Sequence, residues 1–205
     1  MKAIIFDFDG VIHDTLELGY RVNKKLRSDM SMDDYKDLFN GNLYAHERVS
    51  SANQDLFYAL SGPEYEKLAM EEHIKEELLK LKEKYLLFII SSNSEKILHR
   101  YFERNKGSHI FKEILGMETH TSKIEKFKIL FKKYDLNKDN CVFVTDTLGD
   151  ILEANKLEID TIAVDFGFHE RERLEKGHPK KIVSHFKDIL PAVEEIEGER
   201  IHSSI

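Results

Sequence analysis

A second cysteine is missing from this 205-residue chain: Cys141 stands alone, so no intrachain disulfide can form and a reducing cytoplasm is the expected compartment. Its neighbours in CVFV are apolar, which points to a buried structural thiol rather than a reactive one. Long apolar runs are missing too. The longest, LLFII at 86–90, is far too short to cross a bilayer, and Asp7 and Asp9 break the N-terminal run too early for a secretory signal. Nor is there an excess of positive charge: the formal net charge is -7, which weighs against a nucleic-acid-binding surface. No internal repeat or low-complexity segment occurs. A soluble globular protein, cytoplasmic, without membrane or nucleic-acid partners, is the expectation.

What is present is long enough for a sizeable core, with 41% hydrophobic and 34% charged residues. Short, nearly continuous apolar runs recur at AIIF (3–6), LLFII (86–90), CVFV (141–144) and TIAV (161–164), with weaker candidates at EILG (113–116) and IVSH (182–185). Such runs suit strands covered on both faces. Amphipathic segments lie between them. Met70, Ile74, Leu78, Leu81 and Tyr85 make one stripe, KFKILFKKY (126–134) a second, and Ile151 to Leu157 a third with Asp150 as its N-cap. Strand–helix alternation predicts an α/β fold, a doubly wound parallel sheet whose ligands bind beyond the carboxyl ends of the strands.

Between about Leu16 and Ala69 no strand is evident, only helical patches (SMDDYKDLF, NQDLFYAL) separated by turn signals at GN (41–42) and SGP (61–63). This predicts a small helical cap inserted after the first strand, residues 16–70, on a core formed by 1–15 and 71–205. Hinges near Thr15 and before Ile74 would let it close as a lid. The C-terminal EEIEGERIHSSI reads as a short helix end and a frayed terminus.

The polar residues that end the strands carry the chemistry. Asp7 and Asp9 alternate on an extended segment and so face one way, and two like charges so placed call for a cation. The second run ends in Ser91-Ser92-Asn93-Ser94, the fourth in Thr145-Asp146-Thr147-Leu148-Gly149-Asp150, and Thr121-Ser122-Lys123 precedes the helix leading to the fourth. Asp7, Asp9 and Asp146 supply hard oxygens suited to Mg²⁺, Lys123 a point charge for carboxylate and phosphate, and a serine hydroxyl a phosphate donor. Phosphoryl transfer asks for this inventory.

DFDGVIHDT resembles DxDGxxxDT, the first motif of the haloacid dehalogenase superfamily, in the subgroup with a small helical cap. IISSNS is similar to the second motif, Lys123 falls where the third-motif lysine belongs, and TDTLGDILEA resembles the fourth; GHPKKIVSHFKDIL is similar to the segment that closes many phosphatases of this group. The resemblance implies Asp7 as the nucleophile that forms an aspartyl-phosphate, and Asp9 as the general acid and then base. It implies Mg²⁺ held by Asp7, the Asp9 carbonyl and Asp146, with Asp150 bound directly or through water. It also implies phosphate contacts from Ser91, with Ser92 its neighbour or the hydroxyl donor instead, and from Lys123. Two departures stand out: Thr145 precedes Asp146 where glycine is frequent, and Ile124 follows Lys123 where proline is usual, with Lys126 and Lys128 close by.

The expected function is therefore Mg²⁺-dependent hydrolysis of a small phosphorylated metabolite, by a monomer or homodimer. The alternatives are a sugar phosphomutase of the β-phosphoglucomutase type and a phospho-accepting or phospho-binding protein on the same fold. Tyr20, Arg21, Asn23, Lys24, Tyr44, His46 and Arg48 are candidate substrate contacts from the cap, and His13 is the histidine expected near the site.

Overall fold

A computed structural model describes residues 1–49 and 51–203, with backbone alone at Ser51, Ala52 and Ser203. The chain runs β1 (Ala3–Phe6), α1 (Leu16–Leu26), α2 (Met32–Asp37), α3 (Ser51–Tyr65), α4 (Glu72–Lys84), β2 (Leu86–Ile90) and α5 (Glu95–Arg104). It continues through β3 (Glu113–Leu115), α6 (Lys123–Tyr134), β4 (Cys141–Thr145), α7 (Leu148–Asn155), β5 (Thr161–Val164), α8 (Arg171–Leu174), β6 (Lys181–Val183) and α9 (Ile189–Ser203). Both weaker strand candidates are strands.

The strands form one sheet in the order β3-β2-β1-β4-β5-β6, parallel throughout. Alternate residues explain why the runs are apolar without a break. Ile4, Phe6, Ile89, Val142 and Val144 face a layer built from α4, α5 and α9, while Ala3, Ile5, Phe88, Cys141 and Phe143 face Phe127 and Leu130 of α6 and Ala154 of α7. With water excluded from both faces, both sets of alternate positions in the four inner strands are apolar, save for the threonines at strand ends, Thr145 and Thr161. Cys141 is among the buried ones, and burial pushes its thiol up to about 12, so it is held as the unreactive thiol.

The insertion after β1 is helical, as the missing strand pattern predicts. Its second helix is started by Ser31, whose hydroxyl accepts the Asp34 N–H while the Asp34 carboxylate accepts the Ser31 N–H. Three local expectations are corrected. SGP does not end a helix: Ser61, Gly62 and Pro63 lie inside α3, which continues to Tyr65 because that ring is buried against Phe8, centroids 6.4 Å apart. Asp150 is not the N-cap of α7; Thr147 holds that position and Asp150 sits in the first turn. The C-terminal helix is not a short end, since α9 runs through Ser203; the last two residues of the expected frayed terminus, 204–205, lie outside the described residues. Among the described residues no helix is long and apolar enough to cross a membrane.

Candidate active site

β1 sits between β2 and β4, the two places where the chain leaves in opposite directions, so their carboxyl ends open a crevice. Asp7 follows β1 directly, its N–H bonded to the Val144 carbonyl and its Oδ1 accepting the Phe8 N–H at 2.6 Å. The chain then turns back at Gly10, which takes φ +74°. A side chain there would meet Asp146 Oδ2 at 1.9 Å, so the turn requires glycine twice over. Asp9 is half-buried and fully engaged: Thr15 Oγ1 (2.7 Å) and the Tyr65 hydroxyl donate to Oδ1, and Asn93 Nδ2 donates to Oδ2 at 3.0 Å.

Lys123 opens α6 and points its ammonium between two carboxylates, Asp7 Oδ2 at 2.6 Å and Asp150 Oδ2 at 2.5 Å. Thr145 Oγ1 donates to the same Asp150 oxygen at 2.7 Å, so the residue standing in place of glycine helps fix Asp150. Burial alone would lower the Lys123 pKa; Asp150 and Asp7 more than reverse it, and the ammonium stays charged. Burial drives Asp7 well up against the pull of Lys123, whereas for Asp150 the charge of Lys123 and its hydrogen bonds overcome burial and hold the carboxylate below its usual range. Burial likewise pushes Asp146 up to about 8, opposed by the Phe168 N–H bonded to its Oδ2 at 2.7 Å.

Of the neighbouring lysines, Lys128 is exposed and pairs with Glu125, but Lys126 is buried and donates to the Ser91 carbonyl at 2.5 Å. Burial, then the charge of Lys123, pushes Lys126 down to about 7 from an ordinary 10.5. Above about pH 7 the folded chain therefore sheds a proton that the unfolded chain keeps until about 10.5. Stability should rise with pH across that window, by up to roughly 1.4 kcal/mol per pH unit. Urea unfolding of wild type and Lys126→Met at pH 7 and pH 9.5 checks this: the methionine variant should lose most of the rise.

Ser91 is buried and its Oγ accepts the Asn93 N–H at 3.0 Å, which leaves the hydroxyl proton to offer. Ser92 is half-buried, and its carbonyl receives the hydroxyls of Tyr58 (2.7 Å) and Tyr44 from the helical insertion. Asp7, Asp9, Ser91, Ser92, Lys123 and Asp150 thus line one cavity of ≈ 410 Å³. Asp146 lies beside it under Gly10, with Oδ1 buried and without a hydrogen-bond partner among the described residues.

A larger, open-mouthed cavity of ≈ 700 Å³ continues beneath the insertion, and the two share Asp9, Phe39, Leu43, Ser92 and Phe168. The insertion is shut down on the core. Gly149 donates to the Phe39 carbonyl at 2.9 Å, an approach that a side chain on Gly149 would block at 2.3 Å from the Gly41 carbonyl oxygen. Asn42 donates to Glu153 at 3.1 Å, and His169 accepts the Leu148 N–H on Nδ1 while Nε2 donates to the Lys36 carbonyl at 2.9 Å.

Of the candidate substrate contacts, Asn23 and Tyr44 line the larger cavity. The others do not: Tyr20 and Lys24 bond the Met30 carbonyl, Arg48 pairs with Asp34, His46 accepts the Arg48 N–H, and Arg21 is exposed on α1. His13 turns to Tyr101 and lines a separate groove with Asp14 and Phe186, so the histidine of the seam is His169. Arg27, Tyr58 and Tyr65, unremarked in the sequence, line the chamber. Tyr58 and Tyr65 stand seven residues apart on α3, a two-turn spacing that puts them on one face, whereas Arg27 follows α1 and no spacing rule links it to them.

The family model for haloacid dehalogenase-like hydrolase matches residues 4–164. Curated relatives include a phosphoglycolate phosphatase of Yersinia pseudotuberculosis, 31% identical over 65 residues, which is 32% of this chain and 28% of that protein. One of Aliivibrio fischeri is 22% identical over 109 residues, 52% of this chain and 48% of that protein, so the matched stretch spans less than half the length of either relative. Among solved structures, the β-phosphoglucomutase of Clostridium difficile superposes with a TM-score of 0.79 at 18% identity, covering 98% of this chain and 99% of that one. A predicted phosphoglycolate phosphatase of Haemophilus somnus superposes with 0.74 at 21% identity, covering 94% and 98%. At these identities the superpositions speak to the fold, a parallel sheet with a helical insertion after β1. The family match covers most of the chain and includes both aspartates of the β1 turn, the Ser91 strand end, Lys123 and Asp146: the chain belongs to the haloacid dehalogenase-like hydrolases.

Proposed function

We propose that the chain is a phosphomonoesterase that works through Asp7 and Asp9, with residues 1–15 and 71–205 as its catalytic core and 16–70 as its cap. The observation that carries this is the place of Asp9, on the seam between the cavity holding Asp7 and Lys123 and the chamber under the cap. A phosphoryl group in the first cavity puts its ester oxygen and leaving group at that seam. An Asp7 carboxylate oxygen attacks phosphorus, the bond to the ester oxygen breaks, and Asp9 gives that oxygen its proton. Lys123, Ser91 and Ser92 hold the phosphoryl oxygens as charge shifts among them. Asp9, now a base, takes a proton from the water that attacks the aspartyl-phosphate, and Asp7 is regenerated as inorganic phosphate leaves.

The residues fit a divalent cation. Asp146, whose Oδ1 is orphaned among the described residues, is close enough to Asp7 and Asp150 for their charges to act on one another, and Lys123 is the ammonium that meets Asp7 and Asp150. Among the described residues no three His, Cys, Asp or Glu side chains are grouped so as to hold a metal ion by themselves. Mg²⁺ keeps several waters and takes one or two carboxylates plus substrate phosphate. Asp7, the Asp9 carbonyl and Asp146 would hold it, with Asp150 nearby, and when bound it supplies positive charge for the phosphoryl oxygens.

Phosphate release from p-nitrophenyl phosphate and a panel of alkyl and aryl phosphates, with Mg²⁺ and with EDTA, tests the reading. Metal-dependent release is expected. Asp9→Asn should slow alkyl phosphates by about 10²–10⁴-fold and p-nitrophenyl phosphate, whose leaving group needs little protonation, by much less. An isomeric phosphate in place of inorganic phosphate would move the assignment to a mutase, and equal loss on both ester classes would remove Asp9 as the acid.

A further inference from the structure

Among the described residues, one cation of the chamber leaves a guanidinium nitrogen without a partner. Arg27 ends α1, its N–H bonded to the Asn23 carbonyl, and its side chain lines the chamber. Its Nη1 is buried and has no hydrogen-bond partner among the described residues. A buried guanidinium nitrogen left unpaired costs free energy that a ligand oxygen would recover. Arg48, close enough to disfavour the charge on Arg27, is itself paired with Asp34 at 3.1 Å, and Asp29 is the acid that acts on Arg27 in the opposite sense. Where Arg27 lines it, the chamber is therefore set for an anion.

The walls ask for something different. Tyr35, Phe39, Phe57, Tyr58, Tyr65 and Phe168 present ring faces and edges, with Phe39 and Phe168 packed edge-on at 5.1 Å. Two of their hydroxyls are spoken for, Tyr58 donating to the Ser92 carbonyl and Tyr65 to Asp9, while the Tyr35 hydroxyl packs on Gly19, 2.1 Å from where a Cβ there would lie. The Asn23 amide donates to the Gly19 carbonyl, and Thr15 and Asn93 donate to Asp9; Asn53 and Gln54 add further polar lining. A polyhydroxylated leaving group would bury more hydroxyls than this wall can pair. A flat apolar one would stack on it.

We propose that the chamber takes a phosphomonoester whose leaving group is a flat, mainly apolar body ending in a second anionic group, carboxylate or phosphate, which Arg27 receives. The substrate class rests on the phosphatase reading above. The subsite rests on the unpaired guanidinium and the aromatic wall.

The test compares phenyl phosphate with 4-carboxyphenyl phosphate and 1,4-phenylene bisphosphate, 2-naphthyl phosphate with its 6-carboxy derivative, and glucose 6-phosphate. In wild type, at least one ester with a distal anion should exceed its parent tenfold or more in kcat/KM, chiefly through KM, and glucose 6-phosphate should trail both parents. Carboxylate and bisphosphate arms identify which anion is preferred. Arg27→Met should bring that ratio close to one, Arg27→Lys should restore part of it, and Lys25→Met, which removes an exposed charge of the same helix, should leave it intact. A ratio near one in wild type for every pair, a ratio that survives Arg27→Met, or glucose 6-phosphate outrunning the aryl esters overturns the proposal. If wild type hydrolyses none of the esters, the phosphatase reading fails by itself. Calorimetric Kd values for the same pairs, on wild type and Arg27→Met, then decide the subsite by the same ratio.

Discussion

Asp7→Asn should reduce phosphate release by on the order of 10⁴-fold or more, with the protein still folded, because the amide keeps the shape and loses the nucleophile. The replaced group is buried, and burial is the main reason its carboxyl titrates high. An uncharged amide is therefore no heavier a burden on the fold than the carboxylate. It still offers an oxygen to the Phe8 N–H, and Lys123 retains Asp150 at 2.5 Å. Acid quenching in the steady state gives a second readout. Wild type should carry phosphate in a hydroxylamine-labile bond and the variant none. Retention of even a hundredth of the wild-type rate by Asp7→Asn would remove Asp7 as the attacking group.

Lys123→Met should be the more damaging change to stability. The ammonium is 2% exposed and is the charge that meets both Asp7 and Asp150, so the variant leaves two buried carboxylates facing each other. Breaking a buried pair from one side costs roughly 3–5 kcal/mol. In a chain of this size that lowers Tm by roughly 6–20 °C. The pH dependence identifies the cause. Asp150 titrates below its usual value when folded, so its contribution in wild type is present above about 3.8 and is lost as pH falls below it. In the variant both carboxyls rise, so folding takes up protons and the variant gains stability on acidification. The gap in Tm should therefore be widest at neutral to alkaline pH and shrink toward pH 4. A gap independent of pH would mean that lost packing, not uncompensated charge, is the fault.

How far these residues could be foreseen depended on what kind of signal each gave. AIIF, LLFII, CVFV and TIAV read directly as strands because both faces of the sheet are covered, and their ends located Asp7, Ser91 and Asp146 on one edge. Asp150 reads locally as a helix cap because aspartate near a helix start has that meaning; its ammonium partner, Lys123, lies 27 residues away in sequence and only the folded chain brings it close. SGP reads as a turn by composition, yet the burial of Tyr65 carries the helix through it. Arg27 is silent in the sequence: its meaning comes from one nitrogen that no described residue meets, and no pattern in one dimension encodes that.

The seam between cap and core has a kinetic consequence. Tyr44 and Tyr58 meet at the Ser92 carbonyl, Asn42 reaches Glu153, and Phe39 rests on Gly149. Any lifting of the insertion must break these contacts together. For a guest that needs the lifted form, apparent affinity is the intrinsic affinity divided down by the fraction of molecules standing open. Capture of such a guest at high concentration would be timed by a clock inside the protein, the rate at which two tyrosines let go of one carbonyl.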